Sequence, residues 1–309
     1  MSRAIRFHEY GGPEVMKLEE VPRPLPQAGE LLVRVHALGV NPVDWKIRSG
    51  LARARFNPPL PVIPGGDLAG VVEALGPGVT DFQPGQPVFA FIGLMGAYAD
   101  ELAIKAAVAA PKPQSMDFVQ AASVPLASLT AWQALFEQAE LKSGQRLLVH
   151  AAAGGVGGFA VQIARQAGAT VVGTASAANA DYVRGLGAEE VIDYRGGDFA
   201  RFKGSFDVVF DLIGGDTSLL SLELLRGGGV HVGGAPATAL ADKAAAAGIR
   251  VKNVLVRPDG KQLSEISRLI DAGKIRTTIA AAFPWEQAGL AHEQSKGGHT
   301  RGKIVLKVS

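Results

Sequence analysis

From residue 146 to residue 232 the chain switches repeatedly between short apolar runs and helix-period segments, and that alternation constrains the fold more than any other feature. Residues 146–150, 170–174, 191–193, 206–212 and 229–232 read as strands, and 157–166, 180–186 and 219–225 as the helices between them. Strands separated by helices run parallel, and a parallel sheet must be covered on both faces. The expected architecture is therefore a doubly wound α/β domain, with residues 249–256 adding a last strand.

The flanking segments have another texture. The first hundred residues carry short β-like runs at 30–37, 70–74 and 86–91, punctuated by Pro61, Pro64, Gly76, Pro77, Gly78, Pro84 and Gly85, which suggests a barrel-like β domain. A helix is expected over 127–140. Beyond Pro258 come helices at 262–272 and near 284–294 and a closing strand at 303–308, placed back on the first domain. The expected division is 1–122 and 258–309 for one domain, with 123–257 inserted as the other.

Composition narrows the function classes. The formal net charge is +2 with Lys and Arg scattered, so there is no electrostatic footprint for nucleic acid. No run approaches the roughly 18–20 apolar residues that span a bilayer, and the first residues run straight into a strand-like pattern, so a cytoplasmic protein is expected. Cysteine is absent, which removes disulfides, thiol nucleophiles and thiolate metal ligands. The six histidines (His8, His36, His150, His231, His292, His299) show no close ligand pair and read as structural or surface residues.

The strand at 147–150 runs into Ala151-Ala152-Ala153-Gly154-Gly155-Val156-Gly157-Gly158 and then an apolar helix. Against the dinucleotide fingerprint G-x-G-x-x-G the frame is Ala152-x-Gly154-x-x-Gly157, with alanine for the first glycine. Gly154, Gly155, Val156 and Gly157 are candidates to present backbone N–H groups to a pyrophosphate at a helix N-terminus. The second strand usually ends in an acid when the ribose 2′-OH is bound. Here residues 173–179 (GTASAAN) offer Thr174 and Ser176 but no carboxylate, which suits a 2′-phosphate and hence NADPH. The stretch has no cation either, although Arg184 and Arg195 lie in neighbouring segments. Ser176 also reads as a plain helix N-cap. Ile213, Val232 and Gly233 end strands at the carboxyl edge, where such sheets bind ligands.

Several segments together resemble the medium-chain dehydrogenase/reductase superfamily, specifically its zinc-independent quinone oxidoreductase (zeta-crystallin-like) and enone reductase branch. They are residues 39–50 (GVNPVDWKIRSG), 64–72 (PGGDLAGVV), the turn at 151–157, 187–194 (GAEEVIDY) and 302–306 (GKIVL). The resemblance implies a GroES-like β-rich catalytic domain plus a Rossmann domain, an active site in the cleft between them, NADPH as cofactor and a homodimer. It places Thr130 beside the nicotinamide and Tyr194 near the 2′-phosphate. At the positions of the zinc ligands of related alcohol dehydrogenases stand Asn41, Gly66 and a residue near Ala127, none of which replaces a thiolate or imidazole. No metal is expected.

Asn41, Pro42 and Asp44 make a strong helix start; the Asn41 amide is also a candidate for the nicotinamide or its ribose. Lys46 matches a lysine of related enone and alkenal reductases, where several quinone reductases of the family carry tyrosine. It reads either as an exposed helix lysine or as the cation that holds a substrate carbonyl. The leading expectation is an NADPH-dependent reductase of quinones or α,β-unsaturated carbonyl compounds. An enoyl-thioester reductase and a non-catalytic NADPH-binding structural or sensor protein are the alternatives.

Overall fold

The computed structural model of the chain describes residues 1–234 and 238–308. The chain forms two compact units, Met1–Leu126 with Arg257–Ser309, and Ala127–Val256. In chain order the first contains β1 (Ser2–Phe7), β2 (Met16–Val21), β3 (Glu30–Val40), α1 (Pro42–Arg48), β4 (Asp67–Leu75), β5 (Pro87–Phe91), β6 (Glu101–Lys105), β7 (Ala109–Pro111) and α2 (Phe118–Ala122). After α3 (Pro125–Trp132) the second unit runs through β8 (Arg146–Val149), α4 (Gly155–Gln166), β9 (Thr170–Ala175), α5 (Ala180–Gly185), β10 (Glu190–Asp193), β11 (Phe206–Asp211), α6 (Asp216–Leu224), β12 (Leu225–Gly233), α7 (Thr238–Ala246) and β13 (Arg250–Asn253). The return segment supplies α8 (Gly260–Asp271), β14 (Ile279–Pro284), α9 (Ala288–Lys296) and β15 (Lys303–Lys307).

The first unit is organised by β3, whose 11 residues give it room for three partners. It pairs antiparallel with β4 on one side; on the other it takes β6 along its first half and β15 along its last four residues. The sheet order is β14-β15-β3-β4-β5-β7, with β6 off that path. Curling the sheet this way encloses a core that includes Leu31, Val33, Leu38, Leu68, Val72, Tyr98, Trp285 and Leu306. The chain turns from β3 directly into α1, where Pro42 stands in the first turn and Asp44 Oδ2 accepts the Asn41 N–H at 2.8 Å. That junction fixes Asn41 at the end of the longest strand.

The second unit is a six-stranded, wholly parallel sheet in the order β10-β9-β8-β11-β12-β13. This is the doubly wound Rossmann order, with its switch point between β8 and β11. The central strand β11 (FDVVFD) is buried along its whole length, as a strand with helices on both faces must be.

The helix expected near 284–294 starts only at Ala288, because Pro284 closes β14. Two further boundaries differ from the sequence pattern for identifiable reasons. The expected helix over 127–140 is α3 followed by a wider turn, Gln133–Gln138, closed by Ala139 N–H to Ala134 C=O at 3.0 Å. A helix is expected to reach residue 225 and a strand to start at 229, yet α6 ends at Leu224 and β12 begins at Leu225, with Gly227–Gly229 inside it. Its register against β11 shifts between Phe206 and Val208, and Gly228 sits at φ 78°, so the glycines form a bulge inside the strand.

Candidate functional site

In the second unit, the turn after β8 is held against β9 by Ala152 N–H to Thr174 C=O at 2.9 Å and by Ala151 N–H to the Thr174 hydroxyl at 3.2 Å. Ala151 adopts φ 53°, a left-handed conformation that strains an L-residue; nothing in an alanine betrays this in sequence. Gly154 is the N-cap of the 12-residue helix α4 and supplies no side-chain cap. The first-turn N–H groups of Gly155, Val156 and Gly157 therefore point out of the helix with no cap in front of them. A Cβ on Gly157 would lie 2.2 Å from Ala151 O and 2.8 Å from Ala152 Cα, so only glycine lets helix and turn approach this closely. One on Gly173 would lie 2.8 Å from Ala152 Cβ. These open N–H groups with a glycine cradle below them fit a pyrophosphate.

Gly157→Ala is expected to separate two effects. Alanine gains about 1 kcal/mol of helix propensity, but backbone cannot yield cheaply at 2.2 Å, and overpacking costs about 1–3 kcal/mol. We expect net destabilisation in denaturant titration together with weakened dinucleotide binding; unchanged binding would show that the turn tolerates a side chain.

Thr174 is buried, with its hydroxyl at 3.2 Å from both Ala151 N and His150 Nδ1, so the side chain faces the turn's interior. Ser176 starts a short turn, Ala177–Asn179, without capping it by its side chain; its Oγ accepts from Asn179 Nδ2 at 3.3 Å. Arg184 is engaged by Asp181 at 2.7 Å. Tyr194 is 50% exposed just past β10, carrying the Arg195 guanidinium over its ring. Thr130 lies on α3, and Val232 and Gly233 are buried at the end of β12. Ile213 follows β11 and is 62% exposed.

The loop bearing Ile213 is anchored by Asp211, a residue that sequence reading did not single out. Its Oδ1 accepts Ile213 N–H at 2.8 Å and Gly214 N–H at 3.0 Å; its Oδ2 accepts the Ser218 hydroxyl and lies 3.4 Å from His231 Nε2. Burial pushes this carboxyl up, but those donors outweigh it and leave it well below the usual carboxylate range. His150, between Thr174 and Ser221, is driven down to about 4 chiefly by burial.

In the first unit, Asn41 is 2% exposed and tied at both ends of its carboxamide. Nδ2 donates to Asp67 Oδ2 at 2.9 Å, and Oδ1 accepts from the buried ammonium of Lys303, which also donates to Val40 C=O at 3.1 Å. Asp67 Oδ1 takes Leu126 N–H at 2.7 Å, and Lys303 Nζ stands 3.8 Å from Asp67 Oδ2. Asp44, pushed up to about 7 by burial, also receives the Tyr98 hydroxyl at 3.3 Å. Tyr98 in turn contacts His292 Nε2 at 3.2 Å. Tyr98 is fully buried like a core residue, yet its hydroxyl is placed among polar groups. Lys46 is exposed, with its ammonium 5.6 Å from the centre of the Trp45 ring. Among the described residues no group of three or more His, Cys, Asp or Glu could hold a metal ion, and no helix is long and apolar enough to cross a membrane.

Comparison with known proteins agrees with both units. Residues 27–114 match the family described as "Alcohol dehydrogenase GroES-like domain", and residues 186–306 the one described as "Zinc-binding dehydrogenase". The chain is 36% identical to a quinone oxidoreductase of Rattus norvegicus, over 98% of this chain and 96% of that protein. It is 35% identical to a 2-haloacrylate reductase of a Burkholderia species, over 99% of each. A mycobacterial protein solved in complex with NADPH superposes with a TM-score of 0.87 at 30% identity, over 99% of each chain. With its GroES-like unit, its Rossmann unit and full-length similarity to quinone oxidoreductases, this chain belongs to the medium-chain dehydrogenase/reductase superfamily of oxidoreductases.

Proposed function

We propose that the chain transfers a hydride from NADPH to quinones or α,β-unsaturated carbonyl compounds without a catalytic zinc. The observation that carries the cofactor reading is the uncapped, glycine-cradled start of α4 beside a β9 whose own residues carry no carboxylate; the neighbouring Asp193 carboxylate accepts the Ala177 N–H at 3.2 Å and the Arg195 N–H at 3.0 Å. A relative's NADPH complex and the substrates in relatives' names point the same way. NADPH, when bound, supplies the hydride. Gly155, Val156 and Gly157 would hold its pyrophosphate, Ser176 and Tyr194 its 2′-phosphate end, and Thr130, Ile213, Val232 and Gly233 its nicotinamide.

A zinc ion does not suit the donors present. Asn41 Oδ1 already faces an ammonium, and a side chain on Gly66 would start 1.8 Å from Gly93 O and 2.8 Å from the Phe91 ring. With no Lewis acid, the charge that develops on a carbonyl oxygen as hydride reaches the β-carbon needs another partner. Lys46 supplies that cation in this reading. Asn41, fixed by Lys303 and Asp67, keeps one amide hydrogen to offer to the nicotinamide or its ribose. We also propose a homodimer, formed through β13, which like β10 pairs on one side only among the described residues.

Initial rates with NADPH and NADH across quinones, enals and enones test the reading. NADPH should be preferred, and equal or better use of NADH would refute the cofactor assignment. Lys46→Met keeps much of the stem and removes the charge. It should lower enone turnover by about 10²–10³, the usual effect of losing one such donor, with thermal stability nearly unchanged. Wild-type enone rates in this variant would leave Lys46 an ordinary surface lysine.

A further inference from the structure

Between Asp44 and Asp67 the chain contains four cations, Lys46, Arg48, Arg53 and Arg55, and no acid. Arg48 is buried and paired with Glu293 at 3.0 Å. The other three are exposed and share an arrangement. Lys46 Nζ lies 5.6 Å from the centre of the Trp45 ring, the Arg53 guanidinium 4.8 Å from that of Tyr10, and the Arg55 guanidinium 5.4 Å from that of Phe56.

These rings are not loose. Tyr10 and Phe56 pack on the buried cluster of Phe7, Ile47 and Val62, and the Tyr10 hydroxyl donates to Asn57 Oδ1 at 3.2 Å, which also takes Arg53 Nε at 3.3 Å. The segment is folded back onto α1 by Ala52 N–H to Lys46 C=O at 3.1 Å, so the two arginines begin one residue beyond a residue bonded to Lys46. Other arginines of this unit meet carboxylates: half-buried Arg3 with Asp100 and Arg6 with Glu19, and exposed Arg23 with Glu73 and Glu101 and Arg34 with Glu73. Among the described residues, none pairs with Lys46, Arg53 or Arg55. An aromatic face orients a guanidinium while leaving its outward N–H groups unspent. The same loop exposes Leu51 (71%) and Leu60 (40%), an apolar surface beside the charges.

We propose that Arg53 and Arg55 form an anion subsite for the substrate, which is thereby a conjugated carbonyl compound bearing a carboxylate. The planar guanidinium fork matches a carboxylate in two parallel hydrogen bonds, and the exposed leucines suit the apolar body of such a molecule. The inference rests on the reductase reading above. In the reaction the carbon–carbon double bond takes a hydride from NADPH and a proton from water, NADPH becomes NADP⁺, and the carboxylate stays unchanged at the arginines.

Benzoylacrylate and its methyl ester share one conjugated ketone and differ in charge; their saturated products, benzoylpropionate and its ester, allow binding to be read without turnover. Calorimetry on the wild-type protein should show benzoylpropionate binding at least about 10-fold tighter than its ester, consistent with a charge-assisted pair. Raising the salt from about 20 to about 300 mM should shrink that ratio, because the cations are exposed. Arg53→Gln with Arg55→Gln should bring the ratio to about one, and Arg53→Lys with Arg55→Lys should keep most of it. Equal binding of acid and ester by the wild type, or a ratio unchanged in the glutamine pair, overturns the proposal. If the binding pattern holds but neither NADPH nor NADH reduces benzoylacrylate, the anion subsite stands and the reductase reading falls.

Discussion

Replacing Lys303 by methionine will destabilise the GroES-like unit by about 3–5 kcal/mol, as removal of one partner from a buried ion pair does. Lys303 is 5% exposed and Asp67 0%, so neither charge has water to fall back on. Without the ammonium, Asn41 Oδ1 and Val40 C=O lose their donor, and the Asp67 carboxylate loses the nearest cation while keeping only the Asn41 and Leu126 N–H groups. Denaturant titration of the single variant against Lys303→Met with Asp67→Asn checks the cause. The double variant should recover much of the loss, since asparagine can still accept from Leu126 and, once the Asn41 carboxamide flips, can donate to Asn41 Oδ1 in place of the bond it accepted from Asn41 Nδ2. A double variant as unstable as the single one would mean that packing around the lysine stem, and not charge, carries the effect.

Acid titration should expose two histidines held neutral by burial. His150 falls to about 4 and His292 to about 3, the latter by burial and then by the Arg48 charge. An unfolded histidine titrates near 6.5, so between that pH and the folded value the unfolded chain binds the additional proton. Stability from each is complete above about pH 6.5 and is lost as the pH falls toward the folded value. Each contributes a slope of about 1.4 kcal/mol per pH unit across that window. Asp44, raised to about 7, works in the opposite direction over the same range, so the wild-type slope alone is a mixture. The informative quantity is the difference between proteins. His150→Asn and His292→Gln, unfolded in urea at pH 4.5, 5.5 and 6.5, should each show a slope smaller than wild type by about the single-histidine amount. An unchanged slope would mean that the folded protein already carries the proton.

The parallel sheet was legible because its signal is redundant: β8, β9, β10 and β11 each repeat the apolar run, and the helices between them repeat the longer period. The start of α1 was legible for a local reason, since Pro42 and Asp44 act within one turn. The polar interior of the first unit was not. Asn41, Asp67, Tyr98, His292 and Lys303 lie up to 262 positions apart and meet only through the antiparallel pairing of β15 with β3 and the packing of α9. Read along the chain, a lone lysine before an apolar strand looks like a solvated end, and no periodicity marks it as buried. The carboxylate of Asp211 was hidden likewise, because two of its partners are backbone N–H groups that every sequence has, and Ser218 and His231 carry no pattern that points to it. The bulge at Gly227–Gly229 inside β12 was not legible either, because it depends on the register against the neighbouring strand.

The approach of Gly93 to Gly66 makes the absence of an imidazole there difficult to reverse. Putting cysteine at 41 and histidine at 66 would supply two metal-binding side chains on paper. The histidine, however, would have to grow into the carbonyl of Gly93, 1.8 Å from its first carbon. Main chain fills the place that a ligand would need, so a protein engineer would have to rebuild the path between Phe91 and Met95 before any metal could be tried. Drift by single substitutions faces the same obstacle. Each step toward a ligand set would first cost folding, with no gain in chemistry until the last one was in place.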